Sequence, residues 1–65
     1  MKTEIFKYRR IKGLSQQQLA DEVGVSRQTI ASLEKERYTA SLQLAFRISK
    51  YFGYPIEEVF HMEEE

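Results

Sequence analysis

Residues 15–35 read SQQQLADEVGVSRQTIASLEK, and the way this stretch folds decides the reading of the whole chain. Ser15 and Gln18 stand three apart just before an apolar run. That is the spacing of a capping box, in which the serine hydroxyl accepts a backbone N–H and the glutamine reaches back to the cap. Leu19, Ala20 and Val23 form a narrow apolar stripe at helical spacing. Gly24 supplies the left-handed stop favoured just past a helix end. Ser26 opens another helix almost at once, and its Ile30 and Leu33, three apart, share one face. Ala20 is small where the following helix would cross closely over it. The stretch therefore predicts two helices at a steep angle joined by a short turn, over about residues 15–35.

The outward side of the later helix is unusual. Exposed helix faces are commonly dressed in Glu and Lys, but this one turns Arg27, Gln28, Thr29, Ala31 and Ser32 outward. On a wheel of about 100° per residue, Gln28 and Ser32 share a stripe with Lys35, opposite Ile30 and Leu33, with Arg27 and Ala31 beside it. A planar cation, an amide and small hydroxyls are side chains able to read base edges. Arg27 can fork onto guanine O6 and N7, Gln28 onto adenine N6 and N7, and Ser32 can donate or accept. Ser26 and Thr29 can reach a phosphate or a thymine methyl. Taken alone, so short a pattern reads as an ordinary solvated face, and the two serines are equally simple caps.

Working outward, the sequence predicts three further helices. One spans about Thr3 to Lys12, with Thr3 as N-cap, apolar contacts from Phe6, Tyr8 and Ile11, and Gly13 at its end. Another runs from Ser41 to about Phe52, buries Leu44, Ala45, Ile48, Tyr51 and Phe52, and stops at Gly53. The last, from Pro55 to about Phe60, starts on a proline that suits a first helical turn. Tyr8, Phe46, Tyr51 and Phe52 lie at helical spacing and read as core packing. Strand structure is expected nowhere except in a short extended segment around His61 and Met62. The expected fold class is all-α, a single five-helix domain over residues 1–65.

A chain of 65 residues sits near the lower limit for folding on an apolar core alone. It has no Cys, so neither disulfides nor thiolate metal sites support it. Its hydrophobic fraction of 42%, with four Phe and four Tyr, suits a compact domain rather than disorder. No apolar run approaches the roughly 18 residues of a membrane helix, and Met1–Ile5 lacks the apolar core of a signal peptide. The expected compartment is the cytoplasm. The net charge is zero, but residues 1–50 hold ten Lys and Arg against five acids, and residues 51–65 hold five Glu and no Lys or Arg. Because charges are screened beyond about 8–10 Å, the zero total is compatible with a basic partner-binding face. Glu63, Glu64 and Glu65 read as a solvated tail.

The segment GLSQQQLADEVGVSRQTIASLEK resembles the helix-turn-helix core of phage repressor and Cro-type (XRE-type) transcriptional regulators. The flanking YTASLQLAFRISKYFGYPIEEVF resembles the last two helices of the same lambda-repressor-like domain. The likeness covers about Lys2 to Phe60, and the length is similar to that of the short stand-alone members. The resemblance implies a sequence-specific regulator of double-stranded DNA, a repressor acting as a homodimer on a palindromic operator. It implies base contacts from Ser26, Arg27, Gln28 and Ser32, and phosphate contacts from Gln16, Thr29, Lys35, Arg37 and Tyr38. It also matches Arg9 and Glu34 to a structural ion pair joining the first helix to the end of the third. The dimer surface is expected at the C-terminal end, from Val59, Phe60 and Met62, with Ile56, Tyr54 and Ile5 as further candidates, while Phe60 reads equally as buried within its own subunit. Two residues depart from the family pattern: Glu36 stands where Gly or Asn is usual, and Ala40 where many relatives have Pro.

Other chemistries find little support. There is no Gly-rich phosphate loop, and a lone His61 has no second His or Cys for a metal and no neighbouring nucleophile. No enzyme activity, cofactor, metal or small-molecule ligand is expected. The alternative reading is an antitoxin or protein-interaction module that keeps the fold, favoured by the zero net charge and by Glu36.

Overall fold

The computed structural model describes residues 1–62; the Glu63–Glu65 run lies outside the described residues. A short strand β1 (Lys2–Thr3) precedes α1 (Ile5–Lys12), α2 (Gln16–Val23), α3 (Arg27–Glu34), α4 (Leu42–Phe52) and α5 (Ile56–Val59), and β2 (Phe60–His61) follows. The two strands pair antiparallel, Lys2 opposite His61 and Thr3 opposite Phe60.

The local signals act as their chemistry requires. Ser15 Oγ accepts the Gln18 amide at 3.0 Å and Gln18 Oε1 accepts the Ser15 amide at 2.8 Å, a complete capping box at the start of α2. Ser26 and Ser41 cap α3 and α4 through the amides of Thr29 and Leu44. Gly24 ends α2 with φ of 79°. An added Cβ there would meet only Arg47 Nη1 at 3.8 Å, so backbone conformation rather than space calls for glycine.

α2 and α3 pack on each other and α4 closes over α2, with α5 against α4. Ile5, Leu19, Ile30, Leu33, Ile48 and Val59 are fully buried at the centre. Burying such a side chain stabilises the fold by about 1.5–3 kcal/mol each before entropy is counted. Ala20 is 0% exposed, small where α3 crosses. Tyr8 joins α1 to the end of α4, its ring 5.8 Å from that of Phe52 and stacked at 4.3 Å on Tyr54.

Several expectations need correcting. The first helix begins at Ile5, not Thr3, which is extended in β1, and Glu4 precedes the helix without a side-chain cap. Phe6, Ile11 and Phe46, read as apolar packing residues, are exposed, and Tyr51 is half-buried. Phe6 instead lies against the guanidinium groups of Arg9 and Arg10, at 5.3 and 5.5 Å. The terminal extended segment exists, starting at Phe60, where the last helix was expected still to run, and its partner is Lys2–Thr3, where no strand was expected.

Candidate nucleic-acid interface

α3 presents its N-terminal turn and outer edge to solvent. Arg27 and Gln28 are exposed, while Thr29, Ala31 and Ser32 are half-buried. Its inner edge is held by Ile30 and Leu33, both 0% exposed, so the direction of the outer edge is fixed by packing against α2. Ser26, Gln28, Thr29, Ser32, Arg37 and Tyr38 line one open cleft of about 390 Å³. The structure therefore brings together three of the four residues assigned to base edges and three of the five assigned to phosphates. Arg27 stands exposed in the first turn of α3, outside the cleft lining, and Lys35 is exposed at the far end of the helix.

Ser26 has a second task. Its Oγ accepts the Thr29 amide at 3.2 Å and lies 3.0 Å from Thr29 Oγ1. One hydroxyl thus caps α3 and fixes the neighbouring threonine on the cleft wall.

The acids near this edge are turned elsewhere. Arg9 Nε donates to Glu34 Oε2 at 2.7 Å and Arg9 Nη2 to Glu34 Oε1 at 3.1 Å, a fork on a carboxylate. The side chains are only 10% and 8% exposed. Arg9 Nη1 also donates to the Leu14 carbonyl at 2.8 Å, so the guanidinium ties α1 to the loop before α2 and to α3 at once. Glu34 Oε1 accepts a third bond, from Gln16 Nε2 at 3.1 Å. An amide nitrogen carries two hydrogens, so Gln16 Nε2 has a second N–H at the start of α2, beside backbone amides that no intrahelical carbonyl satisfies. Sequence reasoning missed this triad as a unit. It named Arg9 with Glu34, and Gln16 apart, because nothing local connects positions 9, 16 and 34.

Glu36 stood out in the sequence only as a departure from the family pattern. It is exposed, yet its Oε2 accepts the Thr3 amide at 3.2 Å. Arg47 was not singled out; its Nη1 lies 3.5 Å from the Val23 carbonyl, beside the turn between α2 and α3.

On the side formed by α4, α5 and β2, Met1, Leu42, Ile56, Phe60 and Met62 are among the residues lining an apolar groove of about 390 Å³. Of the residues expected at a dimer surface, Val59 is 0% and Phe60 7% exposed, both inside their own chain, as is Ile5 at 0%. This corrects the expectation for Val59: it is the last residue of α5 and packs inward with that helix. Phe60 forms part of the groove lining. Met62, 76% exposed, and Leu42, 68% exposed, are the apolar side chains offered outward. No local signal marks Leu42, which sits one residue after its helix cap.

The sequence matches the Helix-turn-helix family over residues 5–59. It is 48% identical over 65 residues to an uncharacterised HTH-type transcriptional regulator of Methanocaldococcus jannaschii, covering 100% of this chain and 98% of that protein. A protein of Bacillus subtilis with the same description is 46% identical over 65 residues, again covering 100% and 98%. Among solved structures, the fold is similar to the restriction-modification controller protein C.AhdI of Aeromonas hydrophila. There the TM-score is 0.80 at 26% identity, covering 88% of this chain and 86% of that one. A hypothetical transcription factor from Neisseria has the same fold, with a TM-score of 0.78 at 24% identity over 85% of this chain and 63% of its own.

Proposed function

This chain belongs to the helix-turn-helix family of transcriptional regulators, and on that premise we propose that it is a repressor that binds a palindromic duplex operator as a homodimer. The observation that carries the reading is the outer edge of α3 itself. Gln28 and Ser32 share a cleft with Arg37 and Tyr38, and Arg27 is exposed in the first turn of α3, while the carboxylates of Glu34 and Glu36 are bonded to Arg9 and Gln16 and to the Thr3 amide. A helix that enters a groove walled by phosphates must keep acids off its leading edge, and both acids here have other partners.

In this reading α3 lies in the major groove with its N-terminal turn toward the bases. Arg27 and Gln28 read purines as forks, and Ser26 and Ser32 supply shorter contacts. Gln16, Thr29, Lys35, Arg37 and Tyr38 bind the backbone and fix the register. A second copy seated on the groove between Leu42 and Met62 would bring two recognition helices to major grooves about 34 Å apart. The apolar lining of that groove and the exposure of its two flanking side chains support this surface.

The test is a titration of duplex DNA by anisotropy over a range of salt. Each phosphate neutralised contributes about −0.9 to the slope of log K against log salt, so a slope of several units is expected. The rival reading, a module that binds a protein such as a toxin, predicts no salt-dependent duplex binding.

A further inference from the structure

Just beyond α3 and its cap Lys35 stands Glu36, which among the described residues is the one non-glycine with positive φ, at 60°. The amides of Glu36 and Arg37 bond back to the carbonyls of Leu33 and Ser32, each at 3.0 Å. That pair of bonds requires a left-handed residue at position 36, commonly glycine or asparagine. α1, α2 and α4 meet the same need with glycine. A glutamate there holds a strained backbone, and such strain persists where surrounding contacts fix it. The contact is Glu36 Oε2 with the Thr3 amide, 3.2 Å apart and 33 residues distant in the chain.

Thr3 belongs to β1. One edge of β1 is tied to the C-terminal strand by the pairing of Lys2 with His61 and Thr3 with Phe60, and the Glu4 amide donates to the Val59 carbonyl at 2.8 Å. Successive amides in a strand point to opposite edges. With Glu4 turned toward the C-terminal segment, the Thr3 amide faces the free edge, where an unpaired N–H needs an acceptor. Glu36 supplies it. β1 therefore lies between two anchors: the exit of α3 on one side, and on the other the strand that carries Phe60 and His61 in the wall of the apolar groove.

We infer that Glu36 is a positioning residue for operator binding. It latches the loop bearing Lys35, Arg37 and Tyr38 to the terminal two-stranded sheet, and it holds its own charge away from the phosphates. A two-fold binder must present both halves at one spacing, and the latch removes a hinge between the groove that seats the second copy and the residues that grip the backbone. This inference rests on the duplex-binding reading above.

Two variants that remove the same charge separate the latch from simple electrostatics. Glu36→Gln keeps an acceptor oxygen at the same reach. Glu36→Gly removes it while suiting the left-handed backbone, so α3 still terminates normally, which circular dichroism checks. Amide exchange at Thr3 and affinity for the selected operator are measured for both. Removal of one exposed hydrogen bond predicts about three- to tenfold faster Thr3 exchange in Glu36→Gly than in Glu36→Gln, and about the same factor of weaker operator binding. Equal Thr3 exchange, or equal operator affinity, overturns the positioning role. If the unsubstituted protein binds no duplex at all, the parent reading falls and the role falls with it, whereas the exchange data still report on the latch.

Discussion

Glu34 accepts bonds from Arg9 and Gln16 inside a contact that is almost closed to water. Removing one partner of such a pair leaves the other charge buried and unpaired, at a cost of about 3–5 kcal/mol. For a domain this small, that is much of the whole folding free energy, about 5 kcal/mol at the lower end of the usual range. Arg9→Ala is therefore expected to lower the urea midpoint sharply. Arg27 and Gln28 should behave in the opposite way. Both are exposed, so Ala at either position should leave the stability measured in urea within about 0.5 kcal/mol of the parent. Each should relax base preference at one operator position, by about 1–3 kcal/mol of discrimination. Lys35→Ala should weaken all sequences alike and flatten the salt slope by about one unit. Binding curves on matched and mismatched duplexes distinguish these two kinds of residue.

The caps set the boundaries of the two central helices. Ser15→Ala removes half of the capping box and should cost about 1 kcal/mol, read as a lower melting temperature with unchanged operator preference. Ser26→Ala should cost a similar amount, but it also releases Thr29 Oγ1 on the cleft wall, so operator affinity should fall with it. What could be read from sequence divides along the same line. Serine caps, the capping box and the glycine stops are local chemistry, and α2, α3 and α4 lie within a residue of where those signals place them. β1 was illegible because two residues carry no alternation, and its partner is almost a chain length away. Phe6, Ile11 and Phe46 sit at apolar helical spacing, but spacing does not say which face finds a neighbour. On the outer edge of α3, the residue types were legible from the wheel. The turning away of Glu36 was not, because it depends on the amide of Thr3.

Across the whole molecule, an apolar core formed largely by the helices fixes the angle of α3, and a groove on the side of α4, α5 and β2 offers Leu42 and Met62. Leu42→Glu should leave the fold intact, since the side chain is 68% exposed. In sedimentation equilibrium it should shift the protein from dimer to monomer, and operator affinity should fall because paired half-sites are no longer read together. A monomeric unsubstituted protein would refute that arrangement without touching the chemistry of α3. Whether the outer edge of α3 reads base sequence is decided by selection from a pool of random duplexes. The unsubstituted protein and the Arg27→Ala, Gln28→Ala double variant are each used, and the bound fractions are sequenced. Base reading by α3 predicts enrichment of paired, inverted half-sites spaced by about one helical turn, and loss of base identity at the positions those two side chains meet. A pool left unenriched by the unsubstituted protein, or one enriched identically by the double variant, would contradict it.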